Sequence, residues 1–274
     1  MLPSINVFGL EIPTYGIIIF IGICIGGIIA IQYFSKFNNI KKEDVFYAIL
    51  YAVVGLGVGA KLLYILTNIP FIIENSATLG FWNIIGQMFR GGFVFYGGLI
   101  GGILGVLIYA KQFKNSFKSL LLTLIPVVPL IHGIGRIGCL CAGCCYGMPY
   151  DGFGAIIFDH SPIAPNGVPL FPMQIVEAIC NFVVFIILLL TYKRFLGTYK
   201  TVGLYLILYS IVRFTLEFFR GDLSRGIYFS LSTSQWISIA LFIIGIVIFV
   251  YEHKNNLNKR DTPKSLKTWT KRSV

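Results

Sequence analysis

Long runs of apolar residues, separated by short polar connections, organise almost the whole chain. Seven of these runs come close to or exceed the roughly 20 residues that an α-helix needs to cross a bilayer. They lie at about 14–34, 45–67, 93–111, 118–138, 174–192, 201–220 and 232–251. The pattern predicts an all-α integral membrane protein with about seven transmembrane helices.

The connections between these runs predict little structure of their own. The segment 71–89 mixes apolar residues with Glu74, Asn83 and Gln87, which suits an interfacial or re-entrant helix. The connection 140–172 is rich in glycine and proline and predicts irregular backbone. We expect a single transmembrane domain over 1–252, followed by a basic cytoplasmic tail at 253–274.

Composition agrees with a membrane protein. The chain is 56% hydrophobic and only 12% charged, and its mean hydropathy is +0.81. A soluble domain carries about a quarter charged residues. The first apolar run has no basic segment before it and no small-residue cleavage site after it, so it is expected to remain as a span.

The distribution of charge sets the expected orientation. A net charge of +11 would suit nucleic acid, but all except six of the 22 Lys and Arg residues fall in the segments 36–42, 111–118, 193–200 and 254–272. These segments alternate with connections that are almost free of lysine, as the positive-inside rule requires. We expect an outside N-terminus, a cytoplasmic C-terminus, a lipid bilayer as partner and no nucleic acid.

Six basic residues fall in predicted spans or on the predicted outer side. An ionisable side chain inside a membrane is costly, so each is a functional candidate. They are Lys61, Arg90, Arg136, Arg213, Arg220 and Arg225.

The predicted sixth span carries a polar stripe. Tyr205, Tyr209, Arg213, Glu217 and Arg220 are spaced by four, four, four and three residues, which places them on one helix face. Two arginines share this stripe with one carboxylate, so the excess positive charge predicts an anionic lipid headgroup. The alternative is an ion pair between Arg213 and Glu217 that only joins helices.

A second candidate group lies in the predicted fourth span. His132 precedes Arg136 by one helical turn, and Gly133, Gly135 and Gly138 leave space around the arginine. This crowding favours a functional arginine over one that only extends toward the headgroups. His132 is either a packing histidine or part of the same site.

Four of the six cysteines follow in the segment GRIGCLCAGCCYG, residues 135–147. Their spacing, C-x-C-x-x-C-C, is not a usual zinc pattern. A metal site, a disulfide, a lipid-carrying thiol at Cys144 and simple packing all remain open. Packing is the favoured interpretation, and we expect neither a bound metal nor a cofactor. Cys24 and Cys180 lie in mid-span, where packing is expected.

Several motifs together resemble a known enzyme family. They are FYGGLIGG at 95–102, GRIG at 135–138, Gln174 with Glu177, and YSIVRFTLEFFR at 209–220. Over about residues 10–250 the chain resembles prolipoprotein diacylglyceryl transferases. The resemblance implies seven spans in a bacterial cytoplasmic membrane. It also implies transfer of a diacylglyceryl group from phosphatidylglycerol to the lipobox cysteine thiol of a prolipoprotein, with glycerol phosphate as the other product.

The resemblance also implies roles for individual residues. Arg136 would bind the donor phosphate, Arg213 and Glu217 would belong to the catalytic centre, and Tyr15 and Tyr209 would line it. Further candidates for donor binding are Arg220, Gly97 and Gly98. The paired glycines at 97–98, like those at 91–92, suit either close helix packing or a backbone that presents amides to an anion.

The chain departs from the family where the family usually has reactive groups. Tyr96 replaces a histidine, and Cys139 and Cys144 replace an asparagine and a glutamate. We therefore hypothesise that His132 is the general base, with Tyr96 donating to the phosphate or glycerol oxygen; Glu217 is the alternative base. These departures keep two other functions open: a same-fold transferase with another donor or acceptor, and a non-catalytic lipid-binding or transport protein.

Overall fold

The computed structural model describes residues 3–7, 9–222 and 226–261, and this part of the chain is mostly helical. The α-helices are α1 Thr14–Ile29, α2 Ser35–Asn38, α3 Lys42–Thr67, α4 Ile69–Leu79, α5 Phe81–Arg90, α6 Phe95–Gln112, α7 Phe117–Leu124, α8 Val128–Ala142, α9 Met173–Thr191, α10 Lys200–Glu217 and α11 Thr233–Asp261. A π-helical turn, Ala30–Phe34, and two 3₁₀ turns, Ile125–Val127 and Tyr192–Phe195, join some of them.

Short antiparallel hairpins are the only sheets in the described ranges. Their strands are β1 Ser4–Val7 with β2 Leu10–Pro13, β3 Ile156–Ile157 with β4 Pro169–Leu170, and β5 Ile227–Tyr228 with β6 Leu231–Ser232. The first hairpin pairs Asn6 with Glu11. Because these strands have only two to four residues and the rest of the described chain is mostly helical, the predicted all-α fold is confirmed.

Six helices of the described chain are long and apolar enough to cross a membrane. They are Thr14–Asn38, Lys42–Thr67, Phe95–Gln112, Phe117–Ala142, Met173–Phe195 and Thr233–Lys254. The seventh predicted span, 201–220, is also helical as α10, but Lys200, Arg213 and Glu217 make it too charged to be counted with them. Large apolar side chains such as Phe20, Val54 and Leu190 are exposed on these helices, as lipid contact requires.

The chain forms two compact units. One comprises Met1–Ile29 and Leu124–Val274, and we call it the terminal unit; the other is Ala30–Thr123, the inserted unit. In the terminal unit, α8 packs against α1 and α9, and α10 packs against α9 and α11. Small residues permit these approaches: a Cβ on Gly26 would collide with Ile131.

Proline interrupts the helix that leads to α8. Pro126 lies in the 3₁₀ turn Ile125–Val127, and Pro129 lies in the first turn of α8. Proline has no backbone N–H and crowds the preceding turn, so the α-helical ladder breaks here. The predicted span 118–138 is consequently made of two helices, α7 and α8.

In the inserted unit, α3 and α6 approach until their backbones touch. A Cβ on Gly55 would lie far inside van der Waals contact with the carbonyl of Gly101, and one on Gly59 would meet the carbonyl of Gly97. Gly98 is also buried against α3, near Leu56. The packing expected for the span glycines is thus present at these positions.

A matched pair of glycine substitutions tests this helix contact. Gly55→Ala must separate α3 from α6 and is expected to destabilise the protein by about 2 kcal/mol or more through overpacking. Gly57→Ala lies on the same helix, with nothing within 4 Å of the added Cβ, and should leave stability unchanged or slightly raised. Thermal unfolding midpoints in detergent check the pair, and equal midpoints for the two variants would contradict the packing.

Lys61 of α3 contacts the paired glycines, Gly91 and Gly92, that precede α6. Its Nζ donates hydrogen bonds to the carbonyl oxygens of Met88, Gly91 and Gly92, at 3.2, 2.8 and 3.1 Å. It also lies 4.2 Å from the centre of the Phe93 ring. The carbonyls at 91–92 thus face a cation of the protein itself, and the hypothesis that this bend presents amides to an anion stays a prediction.

Two boundaries differ from the sequence predictions. The predicted helix at 71–89 is two helices, α4 and α5, because Gly80 adopts a positive φ of 78° between them. The last helix continues beyond the predicted end at 251 to Asp261. Residues 262–274 of the predicted tail lie outside the described residues. The irregular connection after α8 is confirmed, since only two-residue strands interrupt it.

Candidate active site

A buried carboxylate, Glu177 of α9, is the centre of a charged cluster in the terminal unit. It is 2% exposed. Its Oε1 lies 2.9 Å from Arg136 Nη2 and 3.6 Å from His132 Nε2, both on α8. Its Oε2 lies 4.0 Å from Arg220 Nη1. Asn181 follows one turn later and donates to the Glu177 carbonyl. The cluster therefore brings together three residues that the sequence predicted for the site.

Arg136 also contacts its neighbours on α8. Its Nε donates to His132 Nε2 over 3.3 Å, and its Nη1 lies 3.9 Å from Cys139 Sγ. An Nε2 that accepts this bond carries no proton. The imidazole ring lies 5.8 Å from the ring of Tyr209, centre to centre. The polar stripe of α10 thus meets α8 at Tyr209.

Arg213 and Glu217 form a second group, farther along the same face of α10. Arg213 Nη2 lies 2.6 Å from Glu217 Oε2 and donates to Ser234 Oγ over 3.0 Å. Ser232 Oγ donates to Glu217 Oε1 over 2.8 Å. The two serines come from β6 and the first turn of α11. The predicted ion pair is therefore present, and the start of α11 holds both of its members.

Arg220, just beyond α10, is held by backbone and side-chain contacts. Its Nε and Nη2 donate to the two carboxylate oxygens of Asp222, at 2.8 and 2.7 Å. An isolated bridge pairs it with Gly147, and Met148 N donates to the Phe219 carbonyl. The connection after α8 thus fixes the position of this arginine.

The predicted excess of positive charge is wrong for this centre. Among the described residues, Arg136, Arg213 and Arg220 face three carboxylates, Glu177, Glu217 and Asp222. Sequence reasoning missed the roles of Glu177 and Asp222. A carboxylate in the apolar run 174–192 was the available signal for Glu177.

Hydrogen-bonding capacity nevertheless remains in the buried guanidinium groups. Within the described ranges, Arg213 Nη1 and Arg220 Nη1 are buried without a well-formed hydrogen bond, and Arg220 Nη1 lies 4.0 Å from Glu177 Oε2 in an ion pair. A buried donor without an acceptor costs about 1–3 kcal/mol, so an additional acceptor near these atoms would be stabilising. The centre is therefore balanced in charge but has unused donors.

The remaining site candidates lie on α1 and α6. Tyr15 of α1 packs where a Cβ on Gly138 would be 3.2 Å from its ring. Tyr96, Gly97 and Gly98 belong to the inserted unit, and their roles stay predictions. Two of the six basic candidates cannot be assigned to this centre, because Arg225 and the side chain of Arg90 lie outside the described residues.

The cysteines after Arg136 come close together. None of the chain's six cysteines, all of which the structure describes, is in a disulfide. The Sγ atoms of Cys139, Cys144 and Cys145 lie within 4.8 Å of one another. Hydrogen bonds with Cys139 and Cys144 lower the pKa of the Cys145 thiol. The spacing alone did not predict this convergence.

The fold and this centre define a multi-pass membrane protein with a cluster of charged groups buried among its helices. A family model described as prolipoprotein diacylglyceryl transferase matches residues 3–251. The chain belongs to this family of transferases.

Individual relatives cover similar lengths. The chain is 37% identical over 244 residues to a phosphatidylglycerol–prolipoprotein diacylglyceryl transferase of Clostridium tetani, which covers 89% of this chain and 94% of the relative. It is 36% identical over 254 residues to such an enzyme, numbered 2, of Clostridium perfringens, at 93% and 94% coverage. A Clostridioides difficile relative of the same name is 35% identical over 257 residues, at 93% and 96% coverage.

Proposed function

We propose that this chain transfers the diacylglyceryl group of phosphatidylglycerol to the lipobox cysteine of prolipoproteins, the first step of bacterial lipoprotein maturation. Family membership over residues 3–251 and relatives whose names give this donor and acceptor support the proposal. The protein would be a multi-pass component of the bacterial cytoplasmic membrane, with an outside N-terminus and a single transmembrane domain over 1–252.

The reaction needs positive charge at the leaving phosphate. A sulfur–carbon bond forms at the glycerol carbon, the bond from that carbon to the phosphate oxygen breaks, and glycerol phosphate leaves with the electron pair. The observation that carries the assignment of the site is the pair of buried donors, Arg213 Nη1 and Arg220 Nη1, beside the Arg136 cluster. Donors already in place stabilise charge that develops in the transition state.

The thiol must also lose a proton, and His132 is positioned to take it. Its Nε2 accepts from Arg136 Nε, and Glu177 Oε1 lies 3.6 Å away. On protonation, Nε2 would exchange the arginine for the carboxylate as its partner, which stabilises the imidazolium. Glu217 already accepts from Ser232 and pairs with Arg213, so both of its carboxylate oxygens are occupied.

A direct assay tests the proposed activity. The purified chain, in vesicles with labelled phosphatidylglycerol and a lipobox peptide, should produce a thioether-linked lipopeptide and release glycerol phosphate. A peptide with serine in place of the lipobox cysteine is the control and should remain unmodified. Absence of both products, in vesicles where the Clostridium tetani relative is active, would contradict the proposal.

Replacing His132 tests its role as the base. His132→Ala should lower the transfer rate by about 100-fold, because proton transfer by a positioned side chain contributes at least that much. His253→Ala, at the exposed end of α11 beside Lys200, is the matched control and should transfer at the normal rate. Transfer by a folded His132→Ala protein at the full rate would exclude histidine as the base.

A further inference from the structure

The end of α8 turns back on itself and gathers three thiols. Gly143 ends the helix in a left-handed conformation, with a φ of 67°, and Cys145 follows with a φ of 57°. Cys144 N donates to the Cys139 carbonyl over 3.1 Å. This reversal brings the Sγ atoms of Cys139, Cys144 and Cys145 within 4.8 Å of one another.

The turn that carries these thiols is held from two sides. Gln174 Nε2 donates to the Cys144 carbonyl over 2.8 Å, and Ser161 Oγ donates to the Gly143 carbonyl over 3.1 Å. Cys145 adopts a left-handed conformation although it has a Cβ, at a cost of about 1–2 kcal/mol.

Three convergent thiolates match the preference of zinc. Zinc binds sulfur at about 2.3 Å, so tetrahedral ligands lie roughly 3.8 Å apart, and the three Sγ atoms need only small side-chain rotations to reach that spacing. Zinc with three thiolates carries one net negative charge. Arg136 Nη1, 3.9 Å from Cys139 Sγ, is placed to balance it.

We propose that Cys139, Cys144 and Cys145 bind one zinc ion, and that its open fourth position takes the thiol of the acceptor cysteine. Three protein ligands with one open position are typical of catalytic rather than structural zinc. The second half of the proposal rests on the proposed function, because it names the acceptor of that reaction as the fourth ligand.

Apart from the zinc ion, the reaction step needs no group beyond those already described. The acceptor thiol loses its proton to His132 as its sulfur binds zinc. The acceptor sulfur would then form the bond to the glycerol carbon as the bond from that carbon to the phosphate oxygen breaks, and glycerol phosphate would leave with the electron pair. Arg136 contacts both His132 and Cys139, so the base and the metal site would lie beside the same guanidinium. Cys139 and Cys144 replace the asparagine and the glutamate that are usual in the family. The metal site would thus activate the acceptor thiol in place of those two residues.

Metal analysis of the purified full chain tests the zinc site. The protein, kept reduced and dialysed after loading with zinc, should hold about one zinc per chain. Cys139→Ser, Cys144→Ser and Cys145→Ser should each lower the occupancy at least about ten-fold. Cys141→Ser is the matched control, because Cys141 lies in the same segment but outside the three-sulfur group, and it should keep the metal.

The opposite results overturn the site. Zinc below about a tenth per wild-type chain, or an equal loss in Cys141→Ser and Cys139→Ser at equal unfolding midpoints, would contradict it. Normal transfer by a zinc-free chain would overturn the zinc role and leave the proposed function intact. Stoichiometric zinc in a chain that transfers nothing would support the site and contradict the proposed function.

Cobalt substitution tests the fourth ligand without any turnover. Cobalt in place of zinc should show sulfur-to-metal charge-transfer absorption for three thiolates. Adding the lipobox peptide should raise that absorption by about one third, because a fourth thiolate joins the three of the protein. The peptide with serine in place of the lipobox cysteine should not change it. No change with the cysteine peptide would overturn the acceptor as the fourth ligand.

Discussion

Replacing Arg136 by alanine is expected to lower diacylglyceryl transfer by about 1,000-fold, the effect of removing one preorganised donor from a developing anion. The change removes the contacts of this guanidinium with Glu177, His132 and Cys139. It also exposes the donor phosphate to the uncompensated carboxylate of Glu177. The rate of labelled lipopeptide formation, at saturating peptide, measures the loss.

A double variant separates binding from folding at this position. Arg136→Ala alone leaves a buried carboxylate without this partner, and such a loss destabilises a protein by about 3–5 kcal/mol. Arg136→Gln with Glu177→Gln removes both charges, so the unfolding midpoint should recover toward the wild-type value. Transfer should remain low. Recovery of transfer together with stability would show that Arg136 serves only the fold.

Arg213→Lys is expected to lower transfer by about 100-fold although the positive charge is kept. The planar guanidinium contacts Glu217 and Ser234 with Nη2 while Nη1 remains available, and a lysine ammonium cannot hold that geometry. The matched control is Arg194→Lys, because Arg194 is exposed in the turn after α9. The same vesicle assay compares the two, and a full rate for Arg213→Lys would remove this arginine from the site.

The periodic features of the chain were predictable, because they depend on local spacing. Apolar runs gave the spanning helices, and spacings of three and four placed Tyr209 and Arg213 on one face of α10. Family motifs pointed to Arg136 and Glu217, and the structure finds the Arg213–Glu217 ion pair. The members of the Arg213–Glu217 pair were therefore predictable from the sequence.

Charge balance was not predictable from one helix considered alone. The stripe on α10 shows two arginines and one glutamate, but Glu177 comes from α9 and Asp222 from the segment after α10. Tertiary packing brings Glu177 to the arginines, whereas Asp222 lies two residues after Arg220, beyond the end of α10.

The positions where the backbone reverses direction were also not predictable from the sequence. The three cysteines converge because Gly143 and Cys145 take left-handed conformations, which a spacing pattern does not encode. Gly80 divides the predicted helix at 71–89 for the same reason. The carbonyls at 91–92 face Lys61, a contact that depends on the packing of α3 beside that bend.

The central claim is that the buried arginines around Glu177 bind the phosphate of the donor lipid. Native mass spectrometry of the chain released from phosphatidylglycerol nanodiscs tests it most directly. The wild-type chain should retain one phosphatidylglycerol, and excess glycerol phosphate should displace it. The variant with Arg136→Gln and Glu177→Gln should retain none. Equal retention by this variant and the wild type would contradict the account.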